Sequence, residues 1–301
     1  MPSQITTAFK NRYASNVYHV AQQKKSRLRR TVTLDPEAKG EKYFIDVYGK
    51  REPQEITDRH GDSPIIHQDH DRRMCVFKDW EDGEVIDNPD KFRTLDDPEN
   101  DIVQAMSGGF GRKIDEVIYL AANATAYSGK EGSTSNTLAA ANKVAKDYVE
   151  KGTATDSGLT VGKVRRASAI LNGYDVDEED RFIIIGSNQL HDMLREDEAT
   201  SGDYAGDIKA LIAGEIRYFL GFTWIRISND ILTKNTSTLV RTCFAWQRSG
   251  IKYGFPKEPK VEMIAKHPGK RFNPYVYNCM TIGAVRMEEK KVVEISCVEA
   301  S

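Results

Sequence analysis

Histidine and carboxylate side chains are the first candidates for chemistry in this chain. His60, His67 and His70 lie among Asp58, Asp62, Asp69 and Asp71, around the stretch HGDSPIIHQDHD. Imidazole nitrogens and carboxylate oxygens are the donors taken by zinc and calcium. The H-x6-H-x-x-H spacing matches no recognised ligand signature, and a solvated loop is the plainer account. A second candidate, Ser107 to Lys113 (SGGFGRK), combines three glycines with two cations, as a phosphate-binding loop would. It lacks the GxxxxGK[ST] spacing and follows no strand, so it is read as part of a helix. Asp175, Asp177, Glu178, Glu179 and Asp180 offer paired carboxylates, yet acids this densely packed mark a hydrated turn. Cys75, Cys243, Cys279 and Cys297 are far apart and form no CxxC pair, which indicates neither a zinc site nor a disulfide framework. They are read as reduced, mostly buried thiols. No Ser/His/Asp constellation follows from spacing alone. The chain is therefore read as a non-enzyme, with no catalytic residue, cofactor site or metal site.

Charge is the stronger signal. The net charge of −2 hides an asymmetry. Between Met1 and Leu34 there are seven cations (Lys10, Arg12, Lys24, Lys25, Arg27, Arg29 and Arg30) and no acid, whereas Asp35 to Lys91 carries 16 acids and nine cations. A basic amino-terminal arm can hold nucleic acid or lie on an acidic neighbouring surface. No recognised DNA-reading motif accompanies the charge, which favours the acidic neighbour.

At 301 residues, 39% apolar and 29% charged, the chain has the composition of a soluble globular protein with a substantial core. No apolar run approaches the roughly 20 residues of a membrane helix, and no apolar block marks a signal peptide at the amino terminus. A cytoplasmic setting without a membrane partner is the expectation.

The element that organises the rest is the run from Asp96 to Thr125, which the spacing predicts to be one long amphipathic helix. Ile102, Val103, Met106, Phe110, Ile114, Val117, Ile118 and Ala121 recur with helical period, and Asp97 and Pro98 suit its start. Gly108, Gly109 and Gly111 interrupt it, each at a cost of about 1 kcal/mol relative to alanine. Either the helix bends there or another backbone packs closely against it.

Around this helix the pattern predicts a strand in KYFIDVYGK (Lys42 to Lys50), then a polar stretch that is too long for an ordinary connection and too poor in apolar residues for a core. It is read as a protruding hairpin that finds its contacts on another molecule. Phe9, Tyr13, Val17 and Val20 are spaced as in a short helix. Ala139 to Val149 fits either helix or strand. Thr160 is expected to cap a helix ending at Asn172–Gly173, Arg181 to Ile185 to form a buried strand, and Asn188 to Leu194 a short helix. Gly214 to Ser228 reads as strand, tight turn at Leu220–Gly221 and strand. Leu239 to Trp246, Val261 to Ala284 and Val285 to Val298 are strand-like, with a turn at His267 to Lys270.

The order of these parts resembles the major capsid proteins of tailed bacteriophages with the Hong Kong 97-type fold, in the group lacking a large amino-terminal processing domain. The resemblance covers nearly the whole chain. It rests on FKNRYASNVYHVAQQKKSRLRR (Phe9 to Arg30), FRTLDDPENDIVQAM (Phe92 to Met106) and SGDYAGDIKALIAGEIRYFLGFTWIRISN (Ser201 to Asn229) taken in order. It implies an α+β fold with an N-terminal arm at 1–35, an extended loop at 36–91, and a peripheral domain with the long spine helix at 92–134. An axial domain at 135–246 and a return to the peripheral domain with C-terminal strands at 247–301 complete it.

The function this implies is a structural subunit that self-assembles into pentamers and hexamers of an icosahedral shell around double-stranded DNA, made in a bacterial host cytoplasm. Separate scaffolding and portal proteins are the implied partners. The seven arm cations would then face a neighbouring subunit or DNA, and Gly108, Gly109 and Gly111 would let the spine helix bend. Some relatives cross-link through lysine and asparagine, but no matching motif occurs here, so non-covalent assembly is expected. Two other readings stand beside this one: an encapsulin-type compartment shell, which shares the fold, and a basic-arm nucleic-acid-binding protein that does not assemble.

Overall fold

The computed structural model describes residues 23, 25–56, 61, 65–85, 98–150, 152–195, 218–264, 269, 273 and 275–299. After a 3-10 turn at Arg29–Thr31, the chain forms β1 (Thr33–Asp35), β2 (Lys42–Tyr48), β3 (His70–Val76), β4 (Lys78–Val85) and the long helix α1 (Pro98–Asn123). Next come β5 (Ala126–Ser128), β6 (Thr134–Asn136), β7 (Lys143–Val144), α2 (Val161–Gly173), β8 (Arg181–Ile185) and α3 (Ser187–Arg195). The remaining described strands are β9 (Tyr218–Phe219), β10 (Phe222–Arg226), β11 (Lys234–Asn235), β12 (Val240–Gln247), β13 (Ile251–Ile264), β14 (Tyr275–Arg286) and β15 (Val292–Val298).

These strands form three sheets. The central one has the order β7-β15-β12-β8-β10-β9, with β11 added to β12. Every residue of β8 is buried, and its apolar run Phe182 to Ile185 suits a strand covered on both faces. Ile183 and Ile185 point to one core with Val164, Ala167 and Leu171 of α2. Phe182 and Ile184 point to the other, with Phe110, Ile114 and Ile118 of α1 and Met280 and Ile282 of β14. The seven-stranded sheet is thus the middle layer. α2 covers one side, and α1 with the β1-β13-β14-β4 sheet covers the other.

Local chemistry explains several boundaries. Thr160 caps α2, its side chain accepting from the Lys163 N–H at 3.2 Å. The β9–β10 turn places Leu220 and Gly221 at φ 52° and 81°, the double left-handed conformation of a tight hairpin. The β13–β14 pairing shifts register between Gly254 and Lys257 and again between Lys257 and Lys260. Pro256 and Pro259 lie within those two intervals, and neither offers a ladder N–H. β1 pairs β13 only up to Gly254, so both prolines fall where β13 is an edge.

The stretch from Ala139 to Val149, ambiguous in sequence, contains a 3-10 turn at Ala140–Asn142 followed by β7. No helix among the described residues is long and apolar enough to cross a membrane.

Candidate arm-docking site and assembly surface

Four of the seven arm cations, Lys25, Arg27, Arg29 and Arg30, belong to the described residues, whereas Lys10, Arg12 and Lys24 lie outside them. The charges are not what fixes this segment. Its anchor is Asp115, a fully buried carboxylate in the middle of α1. One oxygen accepts from the Leu28 N–H at 2.9 Å, the Arg27 N–H at 3.0 Å and the Ser26 hydroxyl at 2.6 Å. The other accepts from Arg27 N–H at 3.0 Å and from the Gln23 side-chain amide. Asp115 therefore gathers the donors that open the Arg29–Thr31 turn, as a capping side chain does, from a helix nearly 90 residues away.

Gly111 sits one turn earlier on the same stripe. A Cβ built there would come within 2.9 Å of the Ser26 nitrogen and 3.0 Å of the Lys25 carbonyl carbon, both backbone atoms. The arm backbone thus rides directly on the helix at Gly111 before its N–H groups reach Asp115. Gly109 differs, since the nearest atom to its Cβ position is the Arg112 guanidinium at 3.8 Å. Gly108, Gly109 and Gly111 all fall inside one helix of 26 residues.

Downstream the arm is sewn into the core. Leu28 and Val32 are fully buried beside Phe110 and Ile114. The Thr31 carbonyl accepts from the Trp246 indole at 3.1 Å. β1 then runs parallel to β13, and Asp35 pairs with Lys252 at 2.7 Å. Burial would raise the Asp35 carboxyl, but Lys252 and the neighbouring donors outweigh it and hold it below the usual range. The cations take peripheral roles: the Arg27 guanidinium donates to the Arg226 carbonyl at 2.7 Å, and Arg29 pairs with Glu258 with its guanidinium 4.7 Å from the Phe255 ring centroid. Lys25 and Arg30 are exposed.

Two buried arginines brace the frame. Arg286 donates to the carbonyls of Ala122 and Ala124 at 2.7 and 2.9 Å, placing a cation at the carboxyl end of α1. Arg241 pairs with Glu299, which also accepts from Lys234 at 2.7 Å and Gln189 at 2.9 Å. Burial pushes the Glu299 carboxyl up, yet these partners prevail and bring it down to about 2.

Of the histidine cluster, His67 and His70 are described and His60 is not. His70 faces Asp46 at 3.6 Å and the Tyr48 ring at 4.9 Å between centroids, and no group of three or more metal-binding side chains occurs among the described residues.

A model of the phage capsid protein family matches residues 5–299. The chain belongs to that family. It is a capsid structural subunit of a bacteriophage virion, which sets aside the compartment-shell and non-assembling readings. No curated protein matches it. Solved capsids agree on the Hong Kong 97-type fold. That of cyanophage P-SCSP1u has a TM-score of 0.73 at 14% identity, over 98% of this chain and 94% of the other. The capsid of Ralstonia phage GP4 has a TM-score of 0.66 at 15% identity over 98% of each chain. The head of Helicobacter pylori bacteriophage KHP40 has a TM-score of 0.67 at 8% identity, over 94% and 93%.

The capsid subunit also presents exposed apolar side chains among the described residues. β2 and β3 pair from Lys42↔Val76 to Tyr48↔His70, forming a hairpin whose far end carries Ile56 and Ile65, 87% and 84% exposed. Tyr48 is 65% exposed.

Proposed function

We propose that this capsid subunit assembles non-covalently into pentamers and hexamers of an icosahedral shell enclosing double-stranded DNA. Assembly takes place in the host cytoplasm with separate scaffolding and portal proteins, and the subunit performs no catalysis. The observation that carries this is the β2–β3 hairpin. Burying an isoleucine side chain is worth roughly 1.5–3 kcal/mol, and Ile56 and Ile65 are exposed among the described residues. A neighbouring copy is the partner that would supply it. In this reading 36–91 is the extended loop, 1–35 the arm, and α1 the spine of the peripheral domain. The residues 247–301 are then the return to the peripheral domain and the C-terminal strands, of which β15 pairs with β12 and β7.

The test is to express the subunit alone and with a scaffolding chain, and to compare wild type with Ile56→Asp/Ile65→Asp. Wild type should sediment as capsomers or shells. The variant should stay a folded subunit with unchanged thermal unfolding and fail to assemble. Normal shell yield from the variant would refute the role given to the hairpin.

A further inference from the structure

On the outer face of the β13–β14 pair, two nucleophiles lie side by side. The Lys257 Nζ is 2.7 Å from the Cys279 Sγ. That is as short as an ordinary N–H···O bond, although sulfur is the larger acceptor. Lys257 is exposed, and Cys279 is the most accessible of the four cysteines. Its side chain shares the outward side of β14 with Tyr277 and Thr281, while Asn278 and Met280 point inward. Glu81, opposite Cys279 on β4, accepts from the Tyr277 hydroxyl at 2.9 Å. The other thiols are shielded: Cys75, Cys243 and Cys297 are buried, and burial pushes the Cys75 thiol up to about 12.

We infer that Lys257 and Cys279 form a hydroperoxide-triggered covalent bridge, a sulfenamide that staples β13 to β14. In the first step the Cys279 thiolate attacks one oxygen of the hydroperoxide. An S–O bond forms, the O–O bond breaks, and the departing oxygen takes a proton from the Lys257 ammonium. Sulfur is oxidised by two electrons and the peroxide is reduced by two. The amine is thereby left neutral beside a sulfenic acid. In the second step its lone pair attacks sulfur, the S–N bond forms, the S–O bond breaks, and the hydroxyl leaves with an amine proton as water. The two groups already touch, so the second step needs no encounter. The hydrogen bond to Cys279 holds the Lys257 ammonium above the usual lysine range, consistent with a cation seated on sulfur.

The bridge has a structural consequence. Lys257 lies between the two register shifts that Pro256 and Pro259 accompany, where the β13–β14 ladder is irregular. A covalent link there would hold the two strands together at this irregularity. It concerns the subunit by itself and does not depend on how the shell assembles.

The experiment treats the purified full chain with hydrogen peroxide, digests it with trypsin and analyses the peptides by mass spectrometry, beside Lys257→Arg and Cys279→Ser. Wild type should yield a linked peptide pair lighter by two hydrogens than the sum of its parts, with cleavage after residue 257 lost and restored by a thiol reductant. Cys279 should react at least about tenfold faster than buried Cys75. Lys257→Arg keeps the charge but supplies no neutral amine, so it should give no bridge and should carry Cys279 on to sulfinic acid. Wild-type Cys279 ending as sulfinic or sulfonic acid with Lys257 still cleavable, or staying unoxidised, would overturn the proposal.

Discussion

Replacing Asp115 by alanine isolates what holds the arm. The substitution removes the acceptor for the Leu28 and Arg27 N–H groups, the Ser26 hydroxyl and the Gln23 amide at once. The Leu28 donor is buried, so stranding it costs about 1–3 kcal/mol. The other donors are only part-buried and can be rehydrated, so each loses a net hydrogen bond of about 0.5–1 kcal/mol. The total is roughly 2.5–6 kcal/mol, a large share of the 5–15 kcal/mol that stabilises a typical domain. Most of it should appear as easier local opening of residues 23–32 rather than global unfolding, because Leu28 and Val32 remain to be pulled from the core only when the segment lifts.

Trypsin reads this opening directly, since Lys25, Arg27, Arg29 and Arg30 are all cleavage sites. Where opening equilibrates faster than cleavage, about 3 kcal/mol corresponds to a rate increase of roughly a hundredfold or more on unassembled subunits. Ser26→Ala should raise the rate far less. In a double-mutant cycle the two changes should couple by about 0.5–3 kcal/mol, because they share one contact. Cleavage of Asp115→Ala within about threefold of wild type would refute the claim that this carboxylate, rather than the basic side chains, is the anchor.

Three further outcomes are expected. Gly109→Ala should stabilise the subunit by about 1 kcal/mol in thermal unfolding, whereas Gly111→Ala should cost about 1–3 kcal/mol and release the arm to trypsin, since only the second added methyl meets backbone. The folded Glu299 carboxyl lies near 2, below the ordinary glutamate value of 4.5. Its contribution is therefore complete above pH 4.5 and lost as pH falls toward 2, so from pH 6 to pH 3 wild type should lose about 2 kcal/mol more than Glu299→Gln in urea unfolding. Lys163 is fully buried and donates to the carbonyls of Lys146, Ser157, Gly158 and Ser296 at 2.7–3.0 Å. Lys163→Met should cost about 3 kcal/mol and speed hydrogen exchange around Lys146 and Ser157, because those acceptors lose their common donor.

The features legible in the sequence are those written over short distances. Thr160 and Gly173 bracket α2, the run Arg181 to Ile185 marks a strand covered on both faces, and Leu220–Gly221 marks the β9–β10 turn, each within a window of a few residues. What was hidden depends on partners far along the chain. Nothing near Val292 to Val298 says that β15 will pair with β12 and β7 in the seven-stranded sheet instead of staying with β13 and β14. The arm's anchor, Asp115, likewise meets its partners nearly 90 residues away.

Asp115 did leave a mark. Gly111, Asp115, Ile118 and Ala122 recur at spacings of four, three and four, a second stripe beside the apolar one, and Asp115, Ile118 and Ala122 are buried to 6% exposure or less. A charge on such a stripe must find donors, and a glycine one turn away on the same stripe removes the side chain that would keep another backbone out. Read separately, the glycine suggests a bend and the aspartate a solvated face. Read together they describe a seat, with room for a passing chain at Gly111 and an acceptor for its free N–H groups at Asp115. The pairing also explains why the basic side chains are a poor guide to this contact: the anchor binds the arm's main chain and the side chains of Ser26 and Gln23, so exchanging Arg27 or Arg29 for lysine should leave the seat intact.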